Sequence, residues 1–216
     1  MSEKQYELII FDWDGTLSDS VSLIAECMQS TAIEHNLPVP SHQQASDIIG
    51  LGLGQAIKTL FPPADQQLID RLSQTYSKHY RQKSQGPSHF FPDVLEVLQA
   101  LKNKGYLLAV ATGKSQAGLN RELQASGLEG FFDATRCADQ TASKPDPLML
   151  QQLLDQFNVN VDQSIMVGDT EYDMEMALRK EMPRLAVSYG AHKAERLLKY
   201  QPVACIDSFI EILNIV

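Results

Sequence analysis

Apolar positions change their spacing twice along the 216 residues of this chain. Tyr6–Asp12 is a short, nearly continuous apolar run, the pattern of a strand buried on both faces. From Ser18 to about Gln85 the spacing turns helical, with Val21, Ile24, Ala25, Met28 and Ala32 recurring at steps of three and four. Gln66–Arg81 is amphipathic, and Pro38, Pro40, Pro62, Pro63 and Pro87 punctuate the segment. Little in it reads as a strand, so a separate helical insertion is expected.

Beyond Phe91 strands and helices alternate. A helix at Asp93–Asn103, ended by Lys104-Gly105, leads into an apolar strand, Tyr106–Thr112. A helix at Ser115–Ser126, a short strand at Phe131–Cys137, a helix at Pro147–Phe157, a strand at Ser164–Val167 and a helix at Glu171–Lys180 follow. Short strands at Leu185–Ser188 and Ala204–Ile206 close the pattern, each with a short helix after it (Ala194–Lys199 and Phe209–Leu213). This alternation predicts an α/β fold: a mostly parallel sheet with helices on both faces. Such sheets bind ligands beyond the carboxyl ends of their strands.

Composition narrows the class without naming it. Hydrophobic content of 44% and charged content of 21% are those of a soluble globular protein. No apolar stretch is long enough to cross a bilayer, and the start Met-Ser-Glu-Lys-Gln-Tyr lacks a signal peptide's basic and apolar regions. Cys27, Cys137 and Cys205 are odd in number and far apart, so no disulfide framework is expected and a reducing cytoplasm fits. A net charge of −9 with no basic patch argues against nucleic acid. An anionic substrate would need local positive charge, which points to a divalent cation.

The candidate chemistry sits at the predicted strand ends. Asp12 and Asp14 close the first strand, followed at once by Gly15 and Thr16. Alternate strand residues share a face, so the two carboxylates are expected to project together and to need a cation or a shared proton. A calcium loop fails on count: from Asp12 the glycine is fourth and Leu23 is twelfth. Thr112 ends its strand before Gly113 and Lys114; it reads as an anion donor or, equally, as a turn residue before a helix, with Lys114 expected in solvent. Lys144 lies between stiffening prolines in Ser-Lys-Pro-Asp-Pro. Asp169 and Asp173, after Gly168, share one face of a helix start. Gly50, Gly52 and Gly54 lack the spacing of a dinucleotide fingerprint, and His35, His42, His79, His89 and His192 lack ligand spacing. The basic residues of 78–83 read as a solvated helix face.

Asp-x-Asp-Gly-Thr, Thr112, Lys144 and Asp169 with Asp173 occur in the order of the four motifs of the haloacid dehalogenase-like hydrolases. The chain resembles that superfamily over essentially its whole length, most closely in its phosphoglycolate-phosphatase-like branch. The resemblance implies a Rossmann-like three-layer core (residues 1–17 and 88–216), a helical cap (18–87) hinged at Ser18–Ser20 and Pro87–Pro92, and a glycine-containing cap loop, 50–54, facing the site. It implies Asp12 as nucleophile and Asp14 as acid and base. Mg²⁺ would be held by Asp12, the Asp14 backbone carbonyl and Asp169, with Asp173 orienting Lys144 or a water. Thr112, Gly113 and Lys144 would bind phosphate, and the substrate would be a small phosphorylated metabolite. Trp13 departs from the branch, which usually has an aliphatic residue there, and the usual glycine after the last motif's helix is missing at Arg179–Met182. A phosphomutase of the beta-phosphoglucomutase kind or a silent phosphate-binding module would share the motifs. Thr16 favours hydrolysis over the mutase, and Asp14 counts against a dehalogenase.

Overall fold

The computed structural model describes residues 5–86 and 89–216. Its strands are β1 (Leu8–Phe11), β2 (Leu107–Thr112), β3 (Ala134–Cys137), β4 (Ser164–Gly168), β5 (Arg184–Val187) and β6 (Ala204–Ile206). They form one six-stranded parallel sheet in the order β3-β2-β1-β4-β5-β6. β1 shows why its sequence is apolar at every position. Ile9 and Phe11 join the layer containing α5 (Val94–Asn103) and α6 (Gln116–Ala125), while Leu8 and Ile10 join the layer containing α7 (Leu148–Phe157) and α8 (Glu171–Arg179). A strand covered on both faces has no polar position to spare.

The strand order reverses at β1, with β2 and β3 to one side and β4 to β6 to the other. In a doubly wound sheet that reversal opens a crevice beyond the strand ends. Residues following β1, β2 and β4 therefore meet above the centre of the sheet.

Between β1 and β2 stand α1 (Val21–Glu34), α2 (His42–Ser46), α3 (Leu53–Leu60) and α4 (Gln66–Lys83). Met28, Ile48, Ile57, Phe61 and Leu72 give these helices a hydrophobic core of their own. The two connections to the sheet run side by side: Asp19 N–H donates to the His89 carbonyl at 2.8 Å, and Phe91 N–H to that of Leu17 at 3.1 Å. Of the expected second hinge, Pro87 and Ser88 lie outside the described residues.

Two expected elements differ. The strand at Phe131–Cys137 begins only at Ala134, because Phe131 and Phe132 stack edge-on at 5.3 Å and Phe132 packs beneath Trp13 at 6.2 Å. The last helix is a 3-10 turn, Phe209–Asn214, started by Glu211 accepting from Ser208 N–H. No helix among the described residues is long and apolar enough to cross a membrane.

Candidate active site

β1 ends at Phe11, one residue before Asp12. The chain then turns through Gly15 at φ +81°, where a side chain would place its Cβ 2.2 Å from Asp169 Oδ2. Only glycine allows the turn and the close seat of that carboxylate together. Thr16 Oγ1 donates to Asp169 Oδ1 at 2.8 Å, and Ala191 N–H donates to its Oδ2 at 2.7 Å.

The fully buried Lys144 ammonium lies 2.7 Å from Asp12 Oδ1 and 2.6 Å from Asp173 Oδ1. Asp173 Oδ2 accepts from the Thr170 N–H and hydroxyl at 3.1 and 2.6 Å in a capping box that starts α8. Among the described residues Asp12 Oδ2 is buried without a partner.

Oxygens of Asp12, Asp169 and Asp173 lie within 4.8 Å of one another. Burial pushes the Asp12 carboxyl well above its usual range; Lys144 opposes the rise, and Asp173 and Asp169 add to it. Burial, and then Asp173, raise Asp169 to about 7. Three clustered carboxylates, two of them resisting ionisation, are what a cation would relieve, so these residues fit a hard divalent ion with oxygen ligands.

Asp12 and Asp14 reach one cavity but do not share a partner, contrary to the expectation from strand alternation. Strand geometry stops before both of them, and each carboxylate has its own lysine. Lys114 Nζ lies 2.9 Å from Asp14 Oδ1, and Ser20 Oγ donates to that oxygen at 2.6 Å. Lys114 was expected in solvent; its side chain is instead only 10% exposed. It also lies 2.9 Å from Glu122 Oε1 and 4.5 Å from the centre of the Tyr80 ring. Glu122 in turn accepts from the Tyr80 hydroxyl at 2.7 Å and from the Trp13 indole N–H. Burial pushes Glu122 upward, but Lys114, Tyr80 and Trp13 together hold it below the ordinary value. Burial likewise raises Asp14, against the pull of Lys114.

Thr112, at the end of β2, is buried, with its hydroxyl accepting from Lys114 N–H at 3.2 Å. The 50–54 loop roofs the site. A Cβ on Gly113 would lie 2.5 Å from the Leu51 carbonyl and 2.6 Å from that of Gly50. Gly52 N–H donates to Ser143 Oγ, beside Lys144, at 2.8 Å. The cavity beneath this roof measures about 430 Å³ and includes Asp12, Asp14, Thr112 and Gly113 in its lining.

The family model for haloacid dehalogenase-like hydrolases matches residues 9–187. The chain belongs to that family and, within it, to the phosphoglycolate-phosphatase-like branch. It is 33% identical to "Probable phosphatase IndB" of Dickeya dadantii over 211 residues, covering 96% of this chain and 92% of that one. It is 28% identical to the phosphoglycolate phosphatase of Vibrio vulnificus, covering 100% and 98%. A solved structure described as a predicted phosphoglycolate phosphatase from Haemophilus somnus superposes with a TM-score of 0.85 at 27% identity, covering 99% of both chains. A hydrolase from Pseudomonas syringae shares the fold with a TM-score of 0.87 at 22% identity, covering 96% of each.

Proposed function

We propose that this phosphatase is a Mg²⁺-dependent phosphomonoester hydrolase that acts through an aspartyl-phosphate on Asp12. The observation that carries the reading is the asymmetry of Asp12. Lys144 anchors Oδ1, while Oδ2 is unpartnered among the described residues and free to attack. Mg²⁺ would be held by Asp12, the Asp14 backbone carbonyl and Asp169, and would neutralise charge on the phosphoryl oxygens.

The steps follow from the residues present. Asp12 Oδ2 bonds to phosphorus as the ester P–O bond breaks, and Asp14 gives its proton to the departing alcohol oxygen. Burial raises the Asp14 carboxyl, the direction a proton donor needs, while Lys114 opposes the rise. Asp14 then takes a proton from water as that oxygen bonds to phosphorus and the Asp12–phosphorus bond breaks, releasing phosphate and restoring both carboxyls. The Thr112 hydroxyl, the Gly113 N–H and Lys144 hold the phosphoryl oxygens. Asp173 fixes Lys144. The Lys114–Glu122 pair, held by Trp13 and Tyr80, fixes Asp14.

Residues 18–87 serve as a cap. Tyr80 on α4 reaches the Lys114–Glu122 pair, so closing the cap completes the surroundings of Asp14 while excluding water. A small phosphorylated metabolite, phosphoglycolate-like or a sugar phosphate, is the substrate class.

Phosphate release from p-nitrophenyl phosphate and a panel of alkyl phosphomonoesters tests the reading. Release is expected with Mg²⁺ and lost in EDTA. Release that survives EDTA rejects the metal, and isomerisation of a sugar phosphate without release would make the enzyme a mutase.

Stability should show the same linkage. Asp169 titrates near 7 when folded and near the ordinary carboxylate value when unfolded, so the folded state binds more protons between those values. Stability in EDTA should therefore fall as pH rises from about 4 to 7, by up to about 1.4 kcal/mol per pH unit for one such group. The rise in melting temperature on adding Mg²⁺ should accordingly be larger at pH 8 than at pH 5. A pH-independent rise counts against these carboxyls as the ligands.

A further inference from the structure

We propose that Arg121 is the specificity-determining residue of this site, and that its guanidinium receives a second anionic group carried by the alcohol part of the substrate. The inference rests on the phosphohydrolase reading above and selects, among small phosphorylated metabolites, those charged at both ends. Two basic side chains line the catalytic cavity, Lys114 and Arg121. Lys114 lies 2.9 Å from both Asp14 and Glu122. Among the described residues Arg121 makes no hydrogen bond and no ion pair. Asp139 stands in the same lining, but it accepts from Gln116 N–H at 2.9 Å instead.

The way α6 is built brings this side chain to the site. Helical side chains lean toward the N-terminus of their helix, so residue 121 lies over residue 118, one turn back. That residue is glycine, a poor helix former, and it lines the cavity as well. A Cβ there would lie 3.8 Å from Arg121 Nη2 and 3.2 Å from Ser115 Oγ, so the guanidinium rests beside bare backbone. Gly118 is two residues into α6 from Gln116, about 3 Å along the axis at ~1.5 Å per residue. The guanidinium therefore stands beside the first turn of α6, which the chain enters directly from Thr112, Gly113 and Lys114. A phosphoryl group on Thr112 and Gly113 and an anion on Arg121 can thus belong to one small molecule.

The charge at the two ends of the cavity differs. Asp12 and Asp14 line the phosphate end. At the other end Tyr80, Gly118 and Arg121 also line a second cavity, of about 450 Å³, at the seam between α4 and α6. Arg81, in the last turn of α4, lines it from the cap and forms no ion pair among the described residues. The acids there are Glu122, held by Lys114, and Asp19. A chain of net charge −9 has to concentrate positive potential locally to draw in an anion, and two unpaired arginines at one seam do so. A guanidinium fork offers a carboxylate or a phosphate two parallel N–H donors. A neutral alcohol would leave that fork facing water.

Paired substrates decide it, assayed for phosphate release on the full chain with Mg²⁺. The phosphate esters of glycolate, β-hydroxypropionate and γ-hydroxybutyrate are each compared with the uncharged amide, and ethylene glycol bisphosphate with the monophosphate. Within each pair size is nearly matched for the acids, and the second charge is what changes. In the wild type at least one charged member is expected to exceed its partner in kcat/KM by about tenfold or more, through a lower KM. Arg121→Gln should cut that ratio about tenfold. Arg121→Lys, which keeps the charge without the fork, should restore part of it. A shift confined to the acids assigns a carboxylate to Arg121, and one confined to the bisphosphate assigns a phosphate. Ratios near or below one in every wild-type pair, or a ratio that Arg121→Gln leaves unmoved, overturn the inference and leave the phosphohydrolase reading standing. No release from any of these esters or from p-nitrophenyl phosphate overturns that reading, and the inference with it.

Discussion

Asp12→Asn is expected to lower phosphate release by at least about 10⁴-fold, the scale on which removing a nucleophile acts, while the fold remains intact. The amide matches the carboxylate in shape, and its oxygen can still accept from Lys144, which keeps Asp173 at 2.6 Å. What disappears is the oxygen that attacks phosphorus. Burial disfavours the ionised form of Asp12, so removing that charge relieves a cost of the metal-free fold. The melting temperature in EDTA should thus be equal to or above that of the wild type. Two measurements separate chemistry from structure: intact mass after rapid quenching, for the phosphoryl adduct, and a thermal melt. A variant that melts normally, gives no adduct and releases no phosphate supports Asp12 as nucleophile. Turnover near the wild-type rate rejects that role whatever the melt shows.

The parts of this site legible in the sequence are those written within a few consecutive residues. Asp12 to Thr16, Thr112-Gly113 and Gly168-Asp169 each announce a strand end, an abrupt turn and a polar group, and the parallel sheet brings such ends together. The alternation of elements was equally legible, because each strand's apolar run and each helix's stripe is a local pattern.

Lys114 was not, since a lysine after a glycine at a helix start reads as exposed by default. Its burial depends on Tyr80 and Glu122, 34 and 8 residues away, meeting only when α4 folds over α6. A signal for Glu122 did exist: it falls between Leu119 and Leu123 on the buried stripe of α6, where a carboxylate must find partners. Trp13 was its counterpart, an indole N–H in a turn where an aliphatic residue is usual. Gly190, whose Cβ would lie 2.3 Å from Asp169, left no sign, because the loop after β5 reaches that carboxylate only through the sheet's topology.

Lys144→Met should be the most destabilising single change at the site, by about 3–5 kcal/mol in urea unfolding near neutral pH. The ammonium is fully buried between Asp12 and Asp173, and its loss leaves two buried carboxyls with no cation. Asp12, already pushed upward by burial, then protonates more readily still in the folded chain than in the unfolded one. The folded state binds the extra proton, so the deficit should be greatest at pH 8 and shrink toward pH 4, where Asp12 of the unfolded chain is protonated too. A deficit that does not vary with pH would mean the side chain acts by filling space. Phosphate release should also fall, since Asp12 loses both its anchor and the positive charge beside the phosphoryl oxygens. Adding Asp173→Asn to Lys144→Met removes one stranded carboxyl and should recover part of the stability. It should recover none of the turnover, because the amide leaves Asp12 as unanchored as before. That separation between a repairable fold and an unrepaired reaction is what assigns Lys144 to the chemistry as well as to the core.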